Sequence, residues 1–520
     1  MRIDRSAPYA NPSDVAAAER ALVGETASAA TVVDRLGVAK GFESLTRIAR
    51  KIQPPSADAI AAMTRLATRA DGDTGSGSRV RRLAFEALLT SDAVDERTLR
   101  SAASDVDAQV RRDAMRAAAA PQRPRRDVEA EVLRAGLQDA SPMVRLEALR
   151  GRTSDCDAIA AATADRDMHV VLQAYDQLAA CGASPDAVAR LERALDAGAE
   201  VDAPRAWHRA AHALVALAAA APDRAAATLP TFASSSIWQL RMYAARAAAQ
   251  LGDRATLEKL ASADDDDNVR EAAIEALSRI AGHEADRVFV ANLSRSGYQA
   301  VRAAARALTG SPTLEAATPA LEAALTRLVH EGHDNSHDAR AAIEKALGAG
   351  ARHVPGTRQA SARHVPGTSV TAAELRRLAS PRARIAIRGV GTFDLALFTS
   401  VAPLTVLKFV HLAESGYYNG LTFHRIVPNF VIQGGSPGAN EYVGEPTFMR
   451  DEVSLWPHVR GAVGISTRGH DTGDAQIFVD LVDNPRLDHI YTVFAQVLTG
   501  MDVVDRILEG DVIERIDILP

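Results

Sequence analysis

Aromatic residues are scarce in this chain, at 4% of 520 residues, although apolar residues make up 47%. That shortage points to helices packed through Ala and Leu. With 24% charged residues the composition is that of a globular protein, which excludes wholesale disorder, and the length implies several compact units. Long apolar runs are missing too. The longest, Ala213 to Ala221, falls far short of the roughly 20 residues a membrane helix needs, so no membrane span is expected and the run reads as a buried helix. Nor is there an excess of one charge. A formal net charge of -6 gives no general reason to expect nucleic acid or an anionic membrane as partner. The opening residues, MRIDRSAPYANPSD, lack the apolar core of a secretory signal. A cytoplasmic location is expected if they are the true start, a periplasmic or exported one if a leader preceded them. Cysteine is nearly absent. Cys156 and Cys181 lie 25 residues apart; if one starts a helix and the other ends its antiparallel neighbour, a bridge is geometrically open, and two separate buried thiols fit equally well.

What the chain has instead is repetition. An aliphatic residue, often followed by Arg and with Ala four positions later, recurs as VRRLA at Val80, VRRDA at Val110, VRLEA at Val144, VVLQA at Val170, LRMYA at Leu240, VREAA at Val269 and VRAAA at Val301. The spacings are 30, 34, 26, 70, 29 and 32, the 70 leaving room for an irregular copy around RAWHRAAHAL. Self-similarity near 30 residues indicates a solenoid. Aliphatic and Ala positions at i, i+4 and i+7 make a helical face, and clusters such as ADDDDN and DASP can cap or turn, so each unit is a helical hairpin that buries its stripe by stacking. The segment from about 40 to 350 resembles HEAT-type repeats of the short Ala-rich bacterial kind, which implies an α-solenoid scaffold for protein contacts, with residues 1–39 a helical cap or partly disordered.

The Arg that follows the aliphatic position could line a nucleic-acid groove. The expectation is instead a pairing with Asp or Glu of the adjacent repeat, because acidic residues slightly outnumber basic ones, 66 to 60. Asp264–Asp267 and the pair His333 and His337 lie between helical patterns without further ligands at suitable spacing, so no metal is expected. Residues 351–371 carry ARHVPGT twice, at Ala351 and Ala362, and read as an inter-domain linker.

From 372 to 520 the grammar changes. RIAIRGVGTFDLALF alternates as half-buried strands do, TVLKFVHLAESG is a compact amphipathic helix with a Gly stop, and GLTFHRIV, FVIQGG, GAVGIS, AQIFVDL and YTVFAQV are short strands. The expected fold class is therefore multidomain: an all-α HEAT-like solenoid followed by a closed antiparallel β-barrel.

Within that second half, FHRIVPNFVIQGG embeds Arg425 in an apolar strand. Burying a lone Arg is costly, so an isolated one would snorkel to solvent or pair with a carboxylate, Glu452 being a candidate. Arg425 has company downstream, in GISTRGHDTGDAQIFV and RLDHIYTVFAQV. Together these stretches resemble the cyclophilin family of peptidyl-prolyl cis/trans isomerases over nearly the whole C-terminal half. The resemblance implies that Arg425 is the catalytic arginine and that Gln433 and Gln476 orient it and the peptide backbone. It implies Phe430, Phe478 and Leu487 as the floor of a proline pocket, Val431 where Met is usual, and Tyr491 at a position held by His or Tyr. Ser466 and Thr467, with Arg468, take the place of Ala-Asn-Ala, a stretch that acts through its backbone, and Arg486 replaces an aromatic.

Those residue types suit the chemistry. Rotation about an X-Pro bond is opposed by amide resonance with a barrier of roughly 20 kcal/mol, and no bond must break. A rigid, permanently charged donor can stabilise the twisted amide while an apolar cup holds the ring; no cofactor is called for. The expected partners are proline-containing protein or peptide clients and a protein on the solenoid. The alternative is a non-catalytic module that binds proline peptides on a scaffold.

Overall fold

The computed structural model describes residues 12–49, 52–69, 75–120, 127–152, 154–182, 184–198, 205–348 and 381–519, with 371, 372, 374 and 378 between the last two. The linker expected at 351–371 lies, but for Thr371, outside the described residues. The chain divides into two compact units, Met1–Gln177 and Leu178–Pro520. Neither Cys156 nor Cys181 is a free thiol.

The first unit is built from helices, among them Ser76–Thr90, Ala108–Ala119 and Pro142–Arg150, each carrying one copy of the repeated pattern. Val80, Val110 and Val144, and Ala84, Ala114 and Ala148 four residues on, are buried to 1% exposure or less. Ala at these positions lets the helices approach closely, and stacking supplies the core that one hairpin lacks. The arginine after each valine is spent within the stack. Arg81 donates to Asp105 at 2.6 Å, Arg111 to Asp139 at 2.7 Å and Arg145 to Asp165 at 2.8 Å. Each of these carboxylates also accepts the backbone N–H two residues on, from Asp107, Ser141 and Asp167, all at 2.8 Å. Asp107 then caps the next helix by accepting from the amides of Gln109 and Val110. One short acidic turn thus ends a hairpin, starts the next and fixes the preceding arginine.

The second unit begins with the same architecture. The irregular copy is the helix Trp207–Ala220, followed by Pro222–Ala233, Trp238–Leu251, Arg254–Ala263, Asp267–Ala281, Asp286–Asn292, Tyr298–Ala307, Leu314–Glu331 and His337–Leu347. Arg241 and Asp264 continue the ladder at 2.7 Å. The acidic run is consumed locally: Asp266 caps the helix after it and Asp267 pairs with Arg295 at 2.9 Å. His333 shares a hydrogen bond of 2.8 Å with the Tyr298 hydroxyl.

Eight strands follow: β1 Arg382–Ile387, β2 Gly391–Leu397, β3 Thr422–Val427, β4 Val431–Ser436, β5 Ala462–Ile465, β6 Ile477–Asp480, β7 Val493–Thr499 and β8 Ile513–Leu519. They form one antiparallel sheet in the order β3-β4-β6-β5-β7-β2-β1-β8, curved into a half-barrel. Alternate residues such as Ile385, Phe393, Phe423, Ile432, Val463, Ile477, Val479 and Phe494 fill its interior. The helix Pro403–Glu414 adds Val406, Phe409 and Val410 to the same core. That helix starts on Glu452, whose carboxylate accepts from the amides of Leu404 and Thr405 and from the Thr405 hydroxyl. Glu452 is therefore a helix cap, and the pairing with Arg425 that an isolated arginine would have needed does not form.

Candidate active site

Strands β3 and β4 are joined by Val427-Pro428-Asn429-Phe430, in which Phe430 N–H donates to Val427 O at 3.0 Å and Asn429 has φ of 63°. Pro at the second position and a left-handed Asn at the third make a type II turn. The PN dipeptide thus sets Phe430 at the mouth of the hairpin.

The register shifts on both sides of Phe423, and the second shift leaves His424 as an extra residue between Phe423 and Arg425. In a regular strand Phe423 and Arg425 would share a face. The extra residue breaks that parity, so Phe423 is fully buried in the core while Arg425 is exposed and stands opposite Gln433. Burial lowers the His424 imidazole to about 4, with Arg425 pushing the same way, so the ring is neutral beside the guanidinium at pH 7.

Arg425 Nη1 donates to Gln433 Oε1 at 3.4 Å, and Gln433 Nε2 donates to Gln476 Oε1 at 3.1 Å. Gln476 Nε2 in turn faces two acceptors, the Glu441 carbonyl and Asp474 Oδ2, each at 3.3 Å. Those acceptors fix which end of each amide points where, and both glutamines are buried, at 4% and 1% exposure. Ser466 N–H donates to Gln476 O at 2.9 Å, joining the Ser466–Arg468 segment through its backbone. Thr467 follows it and is half-buried.

The apolar side of the site lies on the outer face of the same sheet. Phe478 pairs with Gln433 on one flank and with Gly464 on the other. Its ring stacks on His458 at 5.7 Å between centroids and meets Tyr491 edge-on at 5.7 Å. Val431 is buried at the start of β4, opposite Asp480. Asn484 Nδ2 donates to Phe430 O at 3.1 Å and to Asp480 Oδ1 at 2.6 Å. The turn Pro485–Leu487 closes with Leu487 N–H on Asn484 O at 2.9 Å. The Arg486 guanidinium lies 4.2 Å from the Phe430 ring centroid, a cation–π contact where the resemblance had an aromatic.

Several supporting residues escaped the sequence reading. A Cβ at Gly464 would sit 2.5 Å from the Phe478 ring, so only glycine lets the ring lie flat on the sheet. His458 and Asp480, both wholly buried, share a 2.9 Å hydrogen bond behind that ring. Burial pushes the Asp480 carboxyl up, and His458 offsets part of the effect. Each lies distant in sequence from what it supports; only GAVGIS, with glycine inside an apolar strand, carried a signal.

Residues 382–518 match the family model described as cyclophilin type peptidyl-prolyl cis-trans isomerase, and residues 235–309 match HEAT repeats. A peptidyl-prolyl cis-trans isomerase of Helicobacter pylori is 42% identical over 130 residues, which cover 24% of this chain and 80% of that protein. The chain belongs to the cyclophilin-type isomerase family. Peptidyl-prolyl cis-trans isomerase B of Bacillus subtilis is 36% identical over 125 residues, 24% of this chain and 87% of its own. A crystal structure of a cyclophilin type isomerase from Cryptosporidium parvum is matched over 98% of its chain and 27% of this one, at 24% identity and a TM-score of 0.26. In this cyclophilin the isomerase region is a quarter of the chain and follows a helical region with HEAT repeats. No helix among the described residues is long and apolar enough to cross a membrane.

Proposed function

We propose that Arg425 catalyses rotation about X-Pro bonds in proline-containing protein or peptide clients, with Gln433 as its positioning partner. The observation that carries this reading is the row Arg425–Gln433–Gln476 lying alongside Phe478 on one sheet face. Arg425 Nη1 rests on a glutamine oxygen and the side chain is exposed, so a rigid fork of donors faces the cleft. As the amide twists, the prolyl nitrogen becomes pyramidal and basic and the carbonyl loses conjugation. A fixed guanidinium then interacts more strongly with the twisted state than with the planar one, which lowers the barrier. Phe430, Val431, Phe478, Leu487 and Tyr491 form the cup for the proline ring. Ser466, Thr467 and Gln476 offer backbone and amide groups to the chain on either side.

We read residues 40–350 as the solenoid, 351–371 as the linker and 372–520 as the isomerase domain, with 1–39 capping the solenoid. Closure of the sheet into a barrel is supported by the bridge between Thr422 and Val512, flanked by Phe423 N–H on Asp511 O at 2.9 Å and Ile513 N–H on Leu421 O at 2.8 Å. A client held by the repeats meets the catalyst at high effective concentration. Four arginines of the repeats, Arg81, Arg111, Arg145 and Arg241, are paired with aspartates and Arg302 with Glu271, so a protein suits the scaffold better than nucleic acid does. The second reading, binding without turnover, draws on Arg486 covering one face of Phe430. Measuring isomerisation of a prolyl peptide beside its affinity separates the two: turnover at the bound site supports catalysis, and binding with no acceleration overturns it.

A further inference from the structure

The helical part of the second unit touches the isomerase domain at Glu509 and Asp511, through His208, Tyr243 and Arg205, and again along a separate row. Asn268 Nδ2 donates to Gly438 O at 2.9 Å, and Asn440 Nδ2 donates to Asn268 Oδ1 at 3.1 Å. Asp334 N–H donates to Pro446 O at 2.9 Å, while its Oδ2 accepts Phe448 N–H at 3.0 Å. Asn335 Nδ2 reaches Gly444 O at 3.1 Å. The partners in this row all lie in the segment 438–448, which also contains Glu441. Over it the Arg302 guanidinium sits 4.3 Å from the Tyr442 ring centroid.

Arg468 joins this row to the catalytic one. Its Nε donates to Asp338 Oδ2 at 2.5 Å, on the helix His337–Leu347, and its Nη1 donates to Glu441 O. The Glu441 carbonyl is one of the two acceptors that Gln476 Nε2 faces, Asp474 Oδ2 being the other at the same 3.3 Å. Every bond onward has a fixed direction: Gln433 donates to Gln476 Oε1, and Arg425 donates to Gln433 Oε1. An unbroken set of hydrogen bonds therefore runs from a carboxylate on the solenoid to the guanidinium in the cleft. The Arg468 side chain is 12% exposed, and the rings of Tyr442 and Phe448 lie 5.5 and 5.8 Å from its guanidinium carbon, so it has little room to turn elsewhere.

We propose that Asp338 is a positioning residue for prolyl isomerisation: by holding Arg468 against the Glu441 carbonyl, the solenoid sets the orientation of Gln476 and Gln433 and hence of Arg425. The proposal rests on Arg425 being the catalytic donor. It makes the repeats part of the catalyst, so that a protein bound beside the helix His337–Leu347 can change turnover without entering the cleft.

The test is a double-mutant cycle on the full chain with a proline tetrapeptide substrate. Asp338→Asn is expected to lower kcat/KM about five-fold, chiefly through kcat, with the melting temperature of the isomerase domain unchanged. In a Gln476→Ala background, where turnover is reduced but measurable, the same substitution is expected to have no further effect, because its route is already cut. An unchanged kcat/KM for Asp338→Asn, or an equal fold-loss in both backgrounds, overturns the proposal while leaving Arg425 in place. Full activity of Arg425→Ala would instead overturn the reading on which it stands.

Discussion

Placing a methyl group on Gly464 tests whether the floor of the cleft is set by packing behind Phe478. The added Cβ would lie 2.5 and 2.8 Å from two ring carbons and 2.9 Å from the Thr492 carbonyl, where ordinary contact is 3.4 to 4 Å. The ring must shift by about 1 Å. His458 blocks one direction, stacked at 15° to the ring, and Tyr491 blocks another edge-on. What remains is movement toward the cleft, into the space proposed for the proline ring. Overpacking of this kind costs about 1–3 kcal/mol, and a reacting group displaced by about 1 Å loses up to a hundred-fold in rate. Gly464→Ala should therefore lower the melting temperature by about 3–10 °C and kcat/KM for a prolyl tetrapeptide at least ten-fold. Adding Phe478→Leu should restore much of the stability, since it removes the clashing ring, without restoring kcat/KM. A Gly464→Ala protein with unaltered melting and turnover would refute the reasoning.

Two further outcomes are expected. Asp165→Ala should lower the unfolding free energy of the repeats by about 1–3 kcal/mol in urea, because it removes the acceptor of Nε and Nη2 of the Arg145 guanidinium, 6% exposed, and of the Asp167 amide, while Nη1 keeps the Asp139 and Ala140 carbonyls; a loss below about 0.5 kcal/mol would mark the ladder as ornamental. Burial pushes the Glu271 carboxyl up to about 7 from its ordinary 4.5, against the pull of Arg302 and with Glu275 and Glu441 adding to the rise. Its folded form holds a proton that the unfolded chain has lost between those values, so its contribution is full below pH 4.5 and gone above about 7. Stability should fall by up to about 3 kcal/mol across that window, and Glu271→Gln should flatten the dependence; an unchanged slope in that variant would contradict it.

The helices were legible because aliphatic and Ala positions such as Val110 and Ala114 recur at helical spacing, and the arginine beside them found the acidic partner its surroundings supply. The strands were legible from short alternating runs between glycines, and FHRIVPNFVIQGG marked the hairpin. What escaped depends on contacts between residues far apart in the chain. Nothing local announces that His424 is an extra residue turning Arg425 outward, since a bulge depends on the partner strand. Gly464 reads as a weak point in a strand until the Phe478 ring is laid over it. Arg468 departs from the family pattern in a loop that works through its backbone, and its side-chain partners, Asp338 and the Glu441 carbonyl, lie far from it in the chain.

The central claim is that the guanidinium of Arg425 accelerates X-Pro rotation, and the most direct test is kcat/KM of the Arg425→Ala chain in a coupled prolyl tetrapeptide assay. Arg425 is exposed, so the variant should fold and melt like the parent. A fall of about a hundred-fold or more is the expected result, on the scale of one lost electrostatic donor. Turnover equal to that of the parent chain would contradict the account.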